Sequence, residues 1–179
     1  MKPLGAAFAM QAAEALLALS RQIDRLLGTL PDSAYTARLD ALDGHTLGQH
    51  LRHAVEFLEC LHDGIPAAQV DYASRCRNPL YEQSPRHMAE AFRRFAENLL
   101  RTDPCMPLRV RADFGEACRP EYLSTAGREM MFAHDHTIHH LALIKAALRC
   151  CYPEVQTDAA LGLSPSTLRA KQVEAASSG

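Results

Sequence analysis

The pattern of hydrophobic and polar positions divides the chain into four long segments with helical periodicity. Apolar residues recur at three- and four-residue steps, the spacing that places side chains on one face of an α-helix, over residues 6–29, 46–63, 84–101 and 123–150. Proline, glycine or aspartate residues cluster between these segments. The pattern therefore predicts an all-α protein, a four-helix bundle with long crossover loops.

The first segment could also be interpreted as a secretory signal, because Lys2 precedes an apolar stretch from Leu4 to Ser20. Gln11 and Glu14 interrupt that stretch, which favours an amphipathic helix instead. Its apolar stripe consists of Phe8, Ala12, Ala15, Leu19, Ile23, Leu26 and Leu30. No other run approaches the roughly 20 apolar residues that a membrane span requires, so we expect a protein without a membrane partner.

The third segment begins with a clear helix-start signal, since Ser84 is a good N-cap and Pro85 suits the first helical position. Its apolar face consists of Met88, Ala91, Phe92, Phe95 and Leu99. The connection over residues 64–83 is long for a helical bundle, and we expect a functional loop there. Between the third and fourth segments, residues 108–112 and 117–122 flank Phe114 and Gly115 and could form a small hairpin.

The length of 179 residues indicates one domain over residues 1–179, with a core at about 6–152 and a short C-terminal extension at 153–179. In the extension, Ser164 followed by Pro165 predicts a short helix over residues 164–171. We expect this helix to dock on the core. Its predicted anchors are Leu161, Leu163 and Leu168. The last few residues are expected to be disordered.

Charge and cysteine content narrow the class of protein. A formal net charge of -2 provides no basic field that would attract nucleic acid, so we expect no nucleic-acid partner. The six cysteines form no Cys-x-x-Cys pair, and the chain is too large to need disulfides for stability. They are typical of reduced thiols, which predicts a cytoplasmic protein.

Histidines concentrate in the fourth segment, where four of the nine in the chain lie within residues 134–140. His136 and His140 are one helical turn apart, about 40° from each other around the helix, a spacing that suits two ligands of one metal ion. His139 is a rival, because it lies only about 60° from His136 and an i,i+3 pair can also chelate. The segment is apolar nearly all round, which predicts a central, buried helix.

A third ligand could come from His50 or His53 in the second segment. The apolar arc of that segment runs through Leu47, Leu51, Ala54, Leu58 and Leu61. His50 lies at the edge of this arc and His53 roughly 60° further round, so periodicity alone slightly favours His50. Three histidine ligands would leave a coordination position for water or substrate, the arrangement typical of catalytic sites.

Two motifs resemble the DinB/YfiT-like superfamily of four-helix bundles. The segment Thr46-Leu-Gly-Gln-His-Leu-Arg-His53 is similar to the family's Ser-Ile-Gly-x-x-Leu-x-His, and His136-Thr-Ile-His-His140 followed by Leu-Ala-Leu-Ile is similar to its second motif. One branch of the superfamily is closer still, through residues 70–77, 127–132 and 163–168. The resemblance covers about residues 8–168 and implies that the metal ligands are His53, His136 and His140.

The expected cofactor is one divalent metal ion. An all-imidazole site suits zinc, nickel, copper or iron. We expect zinc or nickel, with iron or manganese as alternatives. The resemblance further implies a low-molecular-weight thiol as a co-reactant, because the family includes thiol-dependent transferases and isomerases. It also implies a homodimer.

Three functions are compatible with the sequence. The first is a metal-dependent transferase, isomerase or hydrolase acting on a small molecule, in which Arg75 and Arg77 could hold a carboxylate and Glu129 or Glu56 could act as base or orient a ligand. His50 and His139 are further candidates for contacts beside the ion. The second is a non-catalytic, stress-related metal-binding protein, and the third is a purely structural helical dimer.

Overall fold

The computed structural model of this protein describes residues 4–177, with side chains from residue 11 onward apart from that of residue 32. The helices are α1 (Leu4–Thr29), α2 (Asp32–Thr36), α3 (Leu47–Gly64), α4 (Pro79–Gln83), α5 (Pro85–Leu99), α6 (Ala126–Cys151) and α7 (Pro165–Ser177). The strands are β1 (Gln69–Val70), β2 (Pro107–Arg111) and β3 (Glu121–Thr125).

The core lies between the four long helices α1, α3, α5 and α6. Helices α1 and α3 each pack against both α5 and α6, and α3 also packs against the short α4. The predicted apolar face of α5 is confirmed, since all five of its residues are buried. The C-terminal part of the predicted α1 stripe, from Leu19 to Leu30, is buried as well, whereas the side chain of Phe8 lies outside the described residues.

The prediction of an all-α bundle is wrong, because the long connections form a three-stranded mixed sheet in the order β1-β2-β3. Strands β2 and β3 are the antiparallel hairpin that the sequence indicated, with Leu108 opposite Ser124, but the second strand begins four residues later than expected. Residues 123–125, assigned above to the last helix, belong to this strand. Strand β1 pairs in parallel with β2 through only two residues, too few for alternation to reveal them in the sequence.

Helix α6 is not the central, buried helix that its composition suggested. Met131 is 59% exposed and Leu143 is 37% exposed, and Ala142 is exposed beside them. One face of α6 packs against α1 and α3, and the other faces outward. An apolar composition all round the helix was therefore misleading, since isolated apolar residues are common on protein surfaces.

A reciprocal cap fixes the start of α3 and so the register of its histidines. The Thr46 hydroxyl accepts a hydrogen bond from the Gln49 backbone N–H at 3.0 Å, and the Gln49 side-chain oxygen accepts one from the Thr46 N–H at 3.1 Å. This capping box satisfies two backbone donors that the first helical turn leaves without partners. Helix α6 starts in a similar way, with the Thr125 hydroxyl accepting from the Arg128 N–H.

The C-terminal extension docks through the segment before α7 rather than through α7 itself. Leu161 is buried, whereas Leu163 and Leu168 remain partly exposed and α7 has no buried residue, so the predicted docking of that helix is wrong. The ammonium group of Lys145 donates to the carbonyl oxygens of three extension residues, Asp158, Ala159 and Leu161. The disorder expected at the end of the chain concerns residues 178–179, which lie outside the described residues.

A pair of helical glycines gives opposite predictions for the same substitution. A Cβ atom at Gly48 would lie 2.4 Å from the Glu82 carbonyl oxygen, whereas a Cβ at Gly28 would meet nothing within 4 Å. We expect Gly48→Ala to lower the free energy of unfolding by about 1–3 kcal/mol through overpacking. Gly28→Ala should raise it by up to about 1 kcal/mol, because alanine loses less backbone entropy in a helix. Chemical denaturation measures both, and equal effects at the two positions would contradict the close approach at Gly48.

Candidate metal centre

Three histidine rings from two helices converge at one point. His53 projects from α3, and His136 and His140 project from successive turns of α6. Their ring centroids form a nearly equilateral triangle, with separations of 4.9 Å between His53 and His136, 4.8 Å between His53 and His140, and 4.7 Å between His136 and His140. Because α3 and α6 pack along each other, the register of each helix determines the site.

The chemistry of these three residues fits a divalent metal ion. One nitrogen from each ring can be chosen so that all three lie within 4.8 Å of one another, and such a group could hold a metal ion. Tetrahedral nitrogen ligands about 2.0–2.1 Å from zinc lie about 3.3 Å apart, so modest side-chain rotation would complete the site. The Nε2 atom of His136 is buried and, within the described part of the chain, has no hydrogen-bond partner. A metal ion would satisfy it.

The environment keeps the three rings neutral, the form that binds metal. Burial, followed by the nearby Arg75 charge, lowers the pKa of His53 to about 4. Burial and the neighbouring His139 lower the pKa of His136 to about 4. The pKa of His140 falls to about 3 through burial and the adjacent His136. Proton competition with a metal ion should therefore begin below the value near 6.5 of an unperturbed imidazole.

These pKa shifts predict an acid-sensitive metal-free protein. In the unfolded chain the three rings take up protons near pH 6.5, whereas in the folded protein they do so only near pH 3–4. Between these values the unfolded state binds more protons, so stability should fall as the pH decreases through this range. Thermal unfolding in the presence of a chelator would measure the effect, which should be smaller in His140→Gln. A pH-independent difference between the two proteins would contradict it.

His50 and His139 lie beside the three histidines but do not complete the triangle. The Nδ1 atoms of His50 and His140 are 3.1 Å apart, a hydrogen-bonding distance. If His140 binds the ion through Nε2, its Nδ1–H can donate to His50, the type of contact that orients a metal-binding imidazole. His139 is exposed on the outer face of α6. Helical periodicity alone favoured His50 over His53 as the ligand on α3, and the positions of the rings do not support that choice.

An aromatic stack covers the His136 side of the site. The Phe57 ring lies parallel to the His136 ring at a centroid distance of 4.0 Å and stacks on Tyr72 at 4.9 Å. Phe132 contacts both Phe57 and Tyr72. No role at the metal centre was predicted for these three aromatic residues from the sequence. Phe57 could have been found, because it follows His53 by one helical turn, but Tyr72 belongs to a loop without periodicity.

Glu129 anchors this stack rather than contacting the histidines. Its side chain is buried and accepts hydrogen bonds from the Tyr72 hydroxyl at 2.8 Å, from the Ser124 hydroxyl and from Arg128. Desolvation and the Glu129 carboxylate raise the pKa of the Tyr72 hydroxyl, which holds it in the neutral, donating form. The geometry therefore favours a positioning role for Glu129 over that of a general base.

The loop after β1 brings Arg75 to the site, but not Arg77. A terminal guanidinium nitrogen of Arg75 contacts the Nδ1 atom of His53, and the guanidinium carbon lies 5.7 Å from the centre of the Phe57 ring. Arg77 is exposed and has a left-handed backbone conformation with φ of 50°. Glu56 is fully buried beside the loop, where it accepts a hydrogen bond from the Asn78 backbone N–H at 2.9 Å. Asp71 pairs with Arg119, which ties this loop to the β2–β3 connection.

A cavity of about 290 Å³ opens next to two of the three histidines. Its lining residues are all polar and comprise His45, Gln49, His50, Arg52, His53 and His140. The volume is near the lower end of the range for small-molecule sites. A larger cavity of about 620 Å³ is lined by residues of α1, of the junction between α4 and α5, and of α5, and none of the clustered histidines borders it. The smaller cavity is therefore the one relevant to this site.

All six cysteines are free thiols. Within residues 4–177, no helix combines the length and the hydrophobicity needed to cross a membrane. A comparison with known proteins identified no matching family model, no matching curated protein and no matching solved structure.

Proposed function

We propose that this protein is a metal-dependent enzyme in which His53, His136 and His140 bind one divalent ion beside a small polar cavity. The observation that carries the proposal is the convergence of three imidazoles, of which His136 has a buried nitrogen that forms no hydrogen bond with any described residue. Buried polar groups without partners are unfavourable, so such an arrangement is typical of a binding site. Three protein ligands would leave a further coordination position for a small molecule.

We propose zinc or nickel as the ion, with iron or manganese as alternatives, because neutral imidazoles are good ligands for zinc, nickel and iron, whereas manganese prefers oxygen ligands. When bound, the ion would supply Lewis acidity that lowers the pKa of a neighbouring thiol or water. His53 and His140 border the cavity, so a small molecule entering it would reach these two ligands. The Phe57–Tyr72 stack would exclude water from the His136 side.

The reaction class that we propose is transfer or isomerisation dependent on a low-molecular-weight thiol, or hydrolysis. The polar cavity supports a small, polar substrate over an extended apolar one. The alternative is a non-catalytic metal-binding protein that uses the same three histidines. The experiment must distinguish this alternative from an enzyme.

Elemental analysis and a substrate screen test this proposal together. Protein purified without an affinity tag should contain about one ion per chain, a ratio that follows from a single three-histidine site. Turnover should appear in a screen that combines a low-molecular-weight thiol with electrophiles, or one of simple esters, and should disappear in His140→Gln. Stoichiometric metal without turnover would favour the non-catalytic alternative. Metal-free protein that also binds none of the four ions in solution would refute the proposal.

Three further features belong to the proposal. Membership of the DinB/YfiT-like superfamily is supported by the convergence of its two motifs at one site. A cytoplasmic location is supported by the six free thiols, which persist in reducing compartments. A homodimer is proposed from the resemblance alone, and a monomeric sedimentation coefficient at micromolar concentration would refute it.

A further inference from the structure

The contact between Arg75 and His53 cannot coexist with metal binding by His53. A neutral imidazole has one N–H and one nitrogen with a free lone pair, and a guanidinium group only donates. Arg75 contacts Nδ1, so Nδ1 must carry the free lone pair in this arrangement. If the ion binds Nδ1, it uses that lone pair. If the ion binds Nε2, the proton on Nε2 must move to Nδ1, which then has no free lone pair. In both cases Arg75 loses its acceptor.

A displaced Arg75 would remain close to one carboxylate, the one that lies within 4 Å of it among the described residues. Its side chain is 19% exposed, and its Nε atom is buried without a hydrogen-bond partner among the described residues. The nearest carboxylate is that of Glu56, whose Oε2 atom lies 3.9 Å from the contacting Arg75 nitrogen. That oxygen is also buried and lacks a hydrogen-bond partner within residues 4–177. The guanidinium can therefore turn one edge to Glu56 and leave another edge free.

Arg52, which borders the polar cavity, differs from Arg75 in having a carboxylate partner at hydrogen-bonding distance, although its Nε atom also lacks a hydrogen-bond partner among the described residues. Arg52 forms an ion pair with Glu82 at 2.9 Å, a partner outside the metal centre. A divalent ion bound by three neutral histidines adds two positive charges next to the pair of Arg75 and Glu56, whose own charges cancel. Uncompensated charge in a partly buried site is costly, so a metal-loaded centre would favour a bound anion.

We propose that the metal centre takes a small carboxylate, and that Arg75, displaced from His53 by the ion, binds this carboxylate while Glu56 holds the opposite edge of the guanidinium. The planar fork of arginine matches the two oxygens of a carboxylate. The inference rests on the proposed metal binding and names the substrate class of the same site. Arg75 thus competes with the ion when no carboxylate is present and cooperates with it when one is bound.

Zinc affinity measured with and without acetate tests the two roles of Arg75 separately. The measurement is a competition titration against a chelator in a non-coordinating buffer, with the same correction for zinc–acetate binding in solution applied to every protein. Acetate should tighten zinc binding by the wild type about tenfold, a usual size for coupling between two ligands. Arg75→Met should bind zinc at least as tightly as the wild type without acetate, and acetate should not tighten its binding. Arg77→Met, an exposed neighbour in the same loop, should behave as the wild type.

Each other outcome would overturn a specific statement. Equal tightening by acetate in Arg75→Met and in the wild type would show that the ion alone holds the carboxylate. Weaker zinc binding by Arg75→Met without acetate would refute the competition at His53, provided that the variant unfolds at the wild-type temperature. Equal tightening by phosphate through Arg75 would refute the assignment to a carboxylate. Failure of the wild type to bind zinc, nickel, iron or manganese in either buffer would instead refute the proposed function.

Discussion

Alanine at His53, His136 or His140 is expected to weaken metal binding by at least about a hundredfold. Each substitution removes one of three protein ligands, and two imidazoles cannot hold a divalent ion against water and buffer as three can. The ring centroids of the three histidines are almost equally spaced, so we expect losses of similar size at the three positions. Elemental analysis and competition with a chelator would measure the effect, with circular dichroism as a check on folding.

The matched controls are the two neighbouring histidines. His139→Ala should retain near-stoichiometric metal, because His139 is exposed and outside the triangle. His50→Ala should also retain it, with affinity weakened by about tenfold through loss of the contact with His140. Full occupancy in His53→Ala with loss in His50→Ala would overturn the choice of ligand on α3. Full occupancy in His136→Ala would remove the case for the site.

Truncation after Tyr152 is expected to lower the free energy of unfolding by about 3–5 kcal/mol. It would remove the buried Leu161 side chain, whose loss alone should cost about 2–5 kcal/mol. It would also leave the Lys145 ammonium group without its three carbonyl partners. Denaturant titration of the truncated and complete chains would measure the difference.

Two point variants separate docking of the segment from docking of its terminal helix. Leu161→Ala should reproduce about half or more of the effect of truncation, since Leu161 is the buried anchor. Leu168→Ala should change stability by less than about 1 kcal/mol, because α7 has no buried residue. An unchanged melting temperature after truncation would show that the extension does not contribute to the stability of the fold.

The long helices could be predicted from the sequence because each buries one continuous apolar stripe. The five apolar residues of α5 and the Ser84-Pro85 start illustrate this, and both agree with the structure. The sheet could not be predicted in full, because β1 consists of two residues and derives its pairing from β2, which lies about forty residues further along the chain. Local periodicity contains no information about such a contact. The outward face of α6 was wrongly expected to be buried because its apolar composition suggested burial, whereas isolated apolar residues are common on protein surfaces.

The site was predictable where it depends on helical geometry. His136 and His140 are separated by one turn, and this spacing alone places them on one face. The choice of His53 over His50 required the family motif, because periodicity alone slightly favoured His50, which lies nearer the apolar arc of α3. Arg75 and Tyr72 could be suspected only from the length of their loop. Their contacts with His53 and Glu129 depend on the tertiary path of the chain.

The ion pair between Asp71 and Arg119 has a consequence for local opening of the loops beside the metal centre. The loops at residues 71–78 and 112–120 contact each other and the helices mainly through side chains. Helices α3 and α6, in contrast, are stabilised by continuous backbone hydrogen bonds and a shared core. Segments of this kind open at free energies below that of global unfolding. Their amides should exchange with solvent sooner than those of the two helices. Movement of these two loops would expose Arg75 and His53 while the helices stay folded, so an ion could enter or leave the site without unfolding of the protein.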